Sequence, residues 1–165
     1  MFSKACEYSI RASIYIAGKS KDGKRTNLKE IAEAIDSPVA FTAKLLQQLV
    51  HAGVIDSVKG VSGGFEIPKN KIGKLKLCHI VDAIDGDAIY TRCGLGLPHC
   101  SEKNPCPVHD HFKSIRQDLK NMLDKTGLKE LTEEVKFGKA LLKRKRNCRA
   151  SDEGHWKCIG SRQFV

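Results

Sequence analysis

The chain has 165 residues, which allows one compact domain with an appended element and excludes two ordinary domains. Its 41% hydrophobic and 29% charged residues are typical of a globular protein, and no apolar run approaches the ~18 residues that span a bilayer. The net charge of +10 indicates a polyanionic partner, but +6 of it lies in residues 138–165. Charged residues interrupt the apolar N-terminus and exclude a signal peptide, so we expect a cytoplasmic protein with no membrane partner.

Helices dominate the first third of the chain. Residues 5–18 are long and apolar enough for a mostly buried helix. Asn27 can cap a second helix, with Glu30 three residues later as its capping-box partner. A third helix is predicted from about residue 38 to 51, and Gly53 suits the left-handed residue that follows a helix.

A Gly-rich hairpin and further helices follow. Short apolar runs at 54–58 and 65–67 flank a loop of glycine and serine, which predicts two paired strands. Residues 75–86 predict a short strand that leads into a helix, and residues 91–107 are rich in Gly, Pro and Cys without periodicity. Two more helices are predicted, at residues 108–125 and 128–135.

Two short helices joined by a tight turn and followed by a hairpin are typical of a winged helix-turn-helix. The third helix would then read DNA, with its polar residues in the major groove and the hairpin, or wing, at a minor groove. Lysines would contact phosphates and glutamines could read adenine. The candidate DNA-binding residues are Thr42, Lys44, Gln47, Gln48, Lys59, Ser62 and Gly63. A helical domain that binds another protein through its hairpin has the same pattern.

Three of the seven cysteines lie close together in the Gly-rich loop. An odd number of cysteines without an export signal argues against a disulfide framework. Cys93, Cys100 and Cys106 have the spacing C-x6-C-x5-C, with His99 and His109 nearby. Thiolates suit zinc and iron–sulfur clusters, and the absence of a close C-x2-C pair among these three favours a cluster. Zinc, or three surface thiols without a metal, are the alternatives.

Residues 1–137 resemble the IscR/NsrR type of bacterial transcription regulators. The matching features occur in the same order along the chain: EYSIRA at 7–12, the helix-turn-helix at 27–53, the wing residues 53–60 and 63–65, IVDAIDG at 80–86, the three-cysteine loop and the long helix. The resemblance implies a homodimer in which the long helices cross and each cysteine loop lies near the partner's DNA-binding half.

The same resemblance implies that Cys93, Cys100 and Cys106 are cluster ligands and leaves two rivals for the fourth position. In IscR-like members it is a histidine at the C-x2-H spacing that His109 reproduces, which implies a 2Fe–2S cluster. In NsrR-like members it is an acidic residue on the first helix of the other subunit, where Glu7 stands, which implies a 4Fe–4S cluster. Residues 41–44 are closer to NsrR-like members and favour Glu7 and a nitric-oxide-sensing or redox-sensing role.

We therefore predict a mainly α fold with a small β-hairpin, a winged helix-turn-helix domain plus a long dimerisation helix. The divisions are the DNA-binding domain 1–86, the cysteine-rich cluster loop 87–107, the dimerisation helix region 108–137 and a basic, disordered tail 138–165. The homodimer would bind a double-stranded DNA operator and sense nitric oxide, redox state or iron–sulfur status. The alternative is a winged-helix regulator that senses a small molecule or protein partner without a cluster, or that holds zinc. No catalytic motif is present, and we expect no enzyme.

Overall fold

The computed structural model describes residues 2–142 and the backbone of two short strands beyond them. The elements are α1 (Lys4–Lys21), α2 (Leu28–Ile35), α3 (Val39–His51), β1 (Asp56–Val58), β2 (Gly64–Glu66), α4 (Lys69–Ile72), α5 (Leu77–Ile84), α6 (Ala88–Thr91), α7 (His109–Lys125), α8 (Leu128–Lys136), β3 (Cys148–Ala150) and β4 (Trp156–Cys158). The prediction of a mainly helical fold with a small hairpin is confirmed. Among the described residues, no helix is both long and apolar enough to cross a membrane.

Helix α1 is the centre of the fold, and α2, α3, α5 and α8 pack around it. Small side chains on α1 let the neighbouring helices come close to its backbone. Five of them are fully buried: Cys6, Ser9, Ala12, Ser13 and Ala17. Isoleucine and leucine side chains of the surrounding helices complete one continuous core.

The helix-turn-helix forms as its sequence predicts. The Asn27 side chain accepts a hydrogen bond from the Glu30 backbone N–H at 3.0 Å, and the Glu30 carboxylate accepts one from the Asn27 N–H at 3.0 Å. This capping box fixes the start of α2. Helix α3 begins directly after Pro38, and Gly53 has the expected positive φ of 71° after its end.

The wing is a short antiparallel hairpin held against the connection between α1 and α2. Strands β1 and β2 pair Asp56 with Glu66 and Val58 with Gly64. The strand starts later than predicted, because Val54 and Ile55 are buried in the core instead of in a β-ladder. Thr26 and Phe65 exchange backbone hydrogen bonds of 3.1 and 2.8 Å. This bridge adds one residue of the α1–α2 connection to the edge of the hairpin.

The two long helices of the second half of the chain, α7 and α8, belong to different parts of the fold. The expected strand near residue 75 is reduced to a single bridge between Lys76 and Gly127, and α4 and α6 are single-turn helices that the sequence did not predict. Helix α7 buries only Leu123 fully. Helix α8 instead returns to α1, where Glu133 pairs with Lys21 at 2.8 Å. Residues 108–137 therefore contain one projecting helix and one helix of the N-terminal core.

The C-terminal tail is described only in part. Residues 138–142 turn back after α8, and Leu142 packs against the core. Strands β3 and β4 pair with Cys148 opposite Cys158. Residues 143–147, 151–155 and 159–165 lie outside the described part, so the prediction of a disordered tail remains a prediction there.

Arg11 ties three segments together, and its loss should weaken the fold. Its Nε donates to the Leu142 carbonyl at 2.6 Å, its guanidinium also donates to the Ile35 carbonyl, and it lies 4.8 Å from the Tyr8 ring. The Ile35 carbonyl ends α2 and needs such a donor. We expect Arg11→Ala to lower the free energy of unfolding by about 2 kcal/mol in urea titrations.

The matched control is Lys19→Ala. Lys19 also places a cation over a tyrosine, 5.5 Å from the Tyr15 ring centroid, but its ammonium group donates to no backbone carbonyl of the described residues. Its loss should cost less than about 1 kcal/mol. Equal losses for the two variants would show that Arg11 does not cap α2.

Candidate DNA interface and metal centre

Helix α3 has the two faces that a recognition helix needs. Leu45, Leu46 and Leu49 are buried in the core. The side chains on the other face are exposed, as predicted, and comprise Lys44, Gln47 and Gln48. They border a shallow cleft of about 770 Å³ between α3 and the end of α5. A cation beside two amides can contact phosphates and base edges in a major groove.

Thr42 corrects the sequence prediction. It is fully buried, and its hydroxyl donates to the Pro38 carbonyl at 3.0 Å. Its prediction as a DNA contact is wrong, because it lies three and four residues before Leu45 and Leu46 and so on the core side of α3. That spacing was visible in the sequence.

The wing presents its predicted residues and one side chain that the sequence analysis missed. Lys59 and Ser62 are exposed and Gly63 is half-buried. The Arg25 guanidinium contacts the Glu66 carboxylate at 2.9 and 3.3 Å and donates to the Ser62 carbonyl at 3.4 Å. Arg25 directly precedes Thr26, which pairs with β2. Its contact with the wing could be predicted only if the pairing of the strands were already known.

The three cysteines of the loop meet, although up to 13 residues separate them in sequence. The Sγ atoms of Cys93, Cys100 and Cys106 all lie within 4.8 Å of one another, the one such group of potential metal ligands in the part of the chain described. Cys93 Sγ is 3.7 Å from Cys106 Sγ. Gly94 lets the loop approach α7, since a Cβ atom there would lie 2.6 Å from the Phe112 ring.

The two rival fourth ligands have different surroundings. His109 opens α7 and places its Nδ1 3.2 Å from Cys100 Sγ. Glu7 lies in the first turn of α1, half-exposed, and pairs with Lys4 at 2.7 Å. Within a single chain His109 therefore contacts a cysteine of the loop, whereas the contact seen for Glu7 is with Lys4 of its own helix.

The thiols of Cys93 and Cys100 differ in pKa. Desolvation raises the pKa of Cys93, but hydrogen bonds from the backbone N–H groups of Leu95 and Leu97, together with those from the Cys100 and Cys106 thiols, bring that pKa down to about 7. For Cys100, the backbone N–H of Cys106 lowers the pKa, yet burial and the neighbouring thiols leave it raised. One thiolate therefore forms near neutral pH, which is the form that binds metals.

Two other described cysteines are unsuited to metal binding. Cys6 and Cys78 are buried in α1 and α5. Desolvation, aided by Asp85, raises the pKa of Cys6 to about 12, and desolvation beside Asp124 raises that of Cys78. Both behave as small core residues, as the sequence indicated.

The donor set fits a metal atom bound by thiolates. With bonds of about 2.3 Å, two thiolates on one tetrahedral metal atom lie ~3.8 Å apart. The 3.7 Å between Cys93 and Cys106 matches this edge. Three sulfurs and one imidazole suit zinc or the irons of a cluster, and they do not suit magnesium or calcium.

A winged helix-turn-helix with an exposed polar face on its second helix is the architecture of many transcription regulators. The family model Rrf2, described as an iron-dependent transcriptional regulator, matches residues 2–134. The chain belongs to the Rrf2 family. The resemblance to regulators of the IscR type is thereby confirmed, and relatives that are regulators confirm that this is not an enzyme.

Named relatives and solved structures agree with this assignment. An HTH-type transcriptional regulator of Aquifex aeolicus (strain VF5) is 33% identical over 134 residues, which cover 79% of this chain and 90% of that protein. IscR of Xenorhabdus nematophila is 24% identical over 75% of this chain and 74% of that protein.

The fold is similar to that of CymR, the global cysteine regulator of B. subtilis, with a TM-score of 0.65, 21% identity and coverage of 81% of this chain and 96% of that chain. T. potens IscR has a TM-score of 0.63 at 17% identity, over 85% and 91%.

Proposed function

We propose that this regulator binds its DNA operator as a homodimer and senses nitric oxide, redox state or iron–sulfur status through a cluster held by its cysteine loop. The observation that carries the proposal is the convergence of the Cys93, Cys100 and Cys106 sulfurs within 4.8 Å. When bound, the cluster would supply a group that reacts with oxidants or nitric oxide and is lost when iron is scarce.

The pairing of the donors favours a two-iron cluster. They fall into two close pairs, Cys93 with Cys106 and Cys100 with His109. A 2Fe–2S cluster takes two protein ligands on each iron, and imidazole replaces thiolate on an iron in some of these clusters. We therefore propose His109 as the fourth ligand in preference to Glu7 of the partner, which would complete a 4Fe–4S cluster.

An apolar stripe along α7 supports a homodimer. Phe112, Ile115, Leu119 and Met122 follow one another at spacings of three and four residues. Ile115 is 58% and Met122 44% exposed within the single chain. Spacings of this kind form the seam between paired helices, so a second copy of α7 is the partner that covers the stripe.

The same residues connect the loop to the dimer surface. Cys93 follows α6, whereas Cys106 and His109 lie at the start of α7, so shared ligation ties these two segments together. Gly94 packs against Phe112, the first residue of the stripe. Release of the loop would free Phe112, change how the two α7 helices pair and alter the spacing of the two recognition helices. A dimer that reads two half-sites is sensitive to that spacing.

The test compares DNA binding by loaded and metal-free protein. Protein purified without oxygen is first used to select genomic fragments, which identifies an operator. Its affinity for that operator is then measured before and after removal of iron with a chelator, at one salt concentration. We expect visible absorption, about two irons per chain and a change of about tenfold or more in affinity. Equal affinities would contradict sensing.

Two ligand variants separate the cluster types in the same experiment. His109→Ala should change the visible spectrum, whereas Glu7→Ala should leave it unaltered. The opposite pattern would favour Glu7 in trans. Zinc is the second candidate, favoured by the 3.7 Å edge that a single metal atom also explains. Colourless protein with one zinc per chain would establish it.

A further inference from the structure

Arg25 and Glu66 form a clamp between the wing and the helix-turn-helix. Two guanidinium nitrogens of Arg25 lie 2.9 and 3.3 Å from the two Glu66 carboxylate oxygens, which is the fork arrangement that gives the strongest pairs of this kind. A third contact, 3.4 Å to the Ser62 carbonyl, reaches the turn of the wing itself. One side chain thus holds both the second strand and the loop that precedes it.

The wing needs an anchor of this kind. Its strands are three residues long, and an isolated two-stranded hairpin of any length is marginal in water. The Thr26–Phe65 backbone pair fixes the base of β2. The tip projects away from the core, where Val61 is fully exposed. Among the described residues, the Arg25 contact to Ser62 is the side-chain hydrogen bond that joins the tip to the rest of the domain.

The position of Arg25 in the chain determines which parts of the domain the clamp connects. Arg25 lies two residues before Asn27, the cap of α2. The clamp therefore links the wing to the start of the helix-turn-helix, so its loss would change the angle between the wing and α3. Lys59 can reach a phosphate only if this angle matches the groove that α3 occupies.

We infer that Arg25 is a positioning residue, which with Glu66 sets the orientation of the wing for DNA binding and does not itself contact DNA. The inference rests on DNA binding by this regulator. For Glu66, the inference predicts a change in DNA affinity opposite to the one expected from charge alone. Removal of a negative charge near DNA should strengthen binding if electrostatics alone act, whereas loss of the clamp should weaken it.

The experiment measures operator affinity over a range of salt concentrations for five full-length variants in the same metal state. Glu66→Gln and Arg25→Ala should both weaken binding about two- to fivefold, the range for a partly exposed pair, and the double variant should be no weaker than either. Arg25→Lys keeps the charge but loses the fork, and it should weaken binding like Arg25→Ala. Lys24→Ala, which removes the adjacent charge, is the control for electrostatics alone.

A direct phosphate contact would give a different pattern. Arg25→Ala would then reduce the slope of log affinity against log salt by about one unit, Arg25→Lys would bind normally, and Glu66→Gln would bind more tightly. Any of these results would overturn the inference.

A second measurement does not depend on DNA. Amide hydrogen exchange of residues 57–65 in the free protein should accelerate in both Arg25→Ala and Glu66→Gln and remain unchanged in Lys24→Ala. If the wild type bound no DNA, the proposed function would fail while this arm still tested the clamp. Unchanged exchange in both clamp variants would reject it.

Discussion

Protein carrying Cys106→Ala is expected to be colourless and nearly free of iron. Cys106 is only 9% exposed, and its sulfur lies 3.7 Å from that of Cys93. Even changes around metal ligands reduce affinity about 10- to 100-fold, so loss of a ligand should exceed about 100-fold. Alanine keeps the backbone contact from the His109 N–H to the residue 106 carbonyl. Visible spectroscopy and iron analysis of anaerobic protein measure the effect.

Cys78→Ala is the matched control, because it removes a buried thiol by the same change outside the loop. It should retain the full iron content, although loss of a buried sulfur can cost about 1 kcal/mol of stability. Normal iron in Cys106→Ala, or equal loss in both variants, would contradict the assignment of the loop as the metal centre. Operator affinity of Cys106→Ala should equal that of chelator-treated wild type.

Replacement of Ile115 by lysine should convert the protein to a monomer and weaken operator binding by about 100-fold or more, since two linked sites gain roughly 10²–10⁴ in avidity over one. Ile115 is 58% exposed in the single chain, so lysine leaves the fold intact while placing a charge in the proposed seam. Sedimentation measures the oligomeric state, and titration with operator DNA measures affinity.

Gln117→Lys provides the control on the same helix. It adds the same charge about 200° around α7 from Ile115, at an exposed position. We expect it to remain dimeric and to bind DNA with unchanged or slightly greater affinity. A dimeric Ile115→Lys protein would place the subunit interface elsewhere and remove the proposed link between the loop and the recognition helices.

Local signals predicted the helix-turn-helix well. The capping box at Asn27 and Glu30 and the positive φ of Gly53 depend on neighbouring residues, which the sequence displays directly. Thr42 was assigned wrongly for a related reason. Its polarity was weighed above its spacing, although a threonine hydroxyl can be satisfied by the carbonyl four residues earlier and then be buried.

Contacts between distant segments could not be predicted in this way. The Arg25–Glu66 pair joins residues 41 apart, and nothing local to either residue indicates the other. The return of α8 to α1 is also a tertiary result, held in part by the Lys21–Glu133 and Asp22–Lys136 ion pairs. For the candidate metal centre, the sequence predicted the cysteines but not their distances, because a Gly-rich loop without periodicity sets no geometry of its own.

The bond from Arg11 to the Leu142 carbonyl has a consequence for the charge distribution. It anchors the chain beside the end of α2, because the same guanidinium binds the Ile35 carbonyl there. In the sequence, four consecutive basic residues follow at 143–146. Their point of attachment is therefore next to the helix-turn-helix, and a bound operator would meet them at a high effective concentration whatever conformation they adopt. Four positive charges are thereby tethered beside the helix-turn-helix.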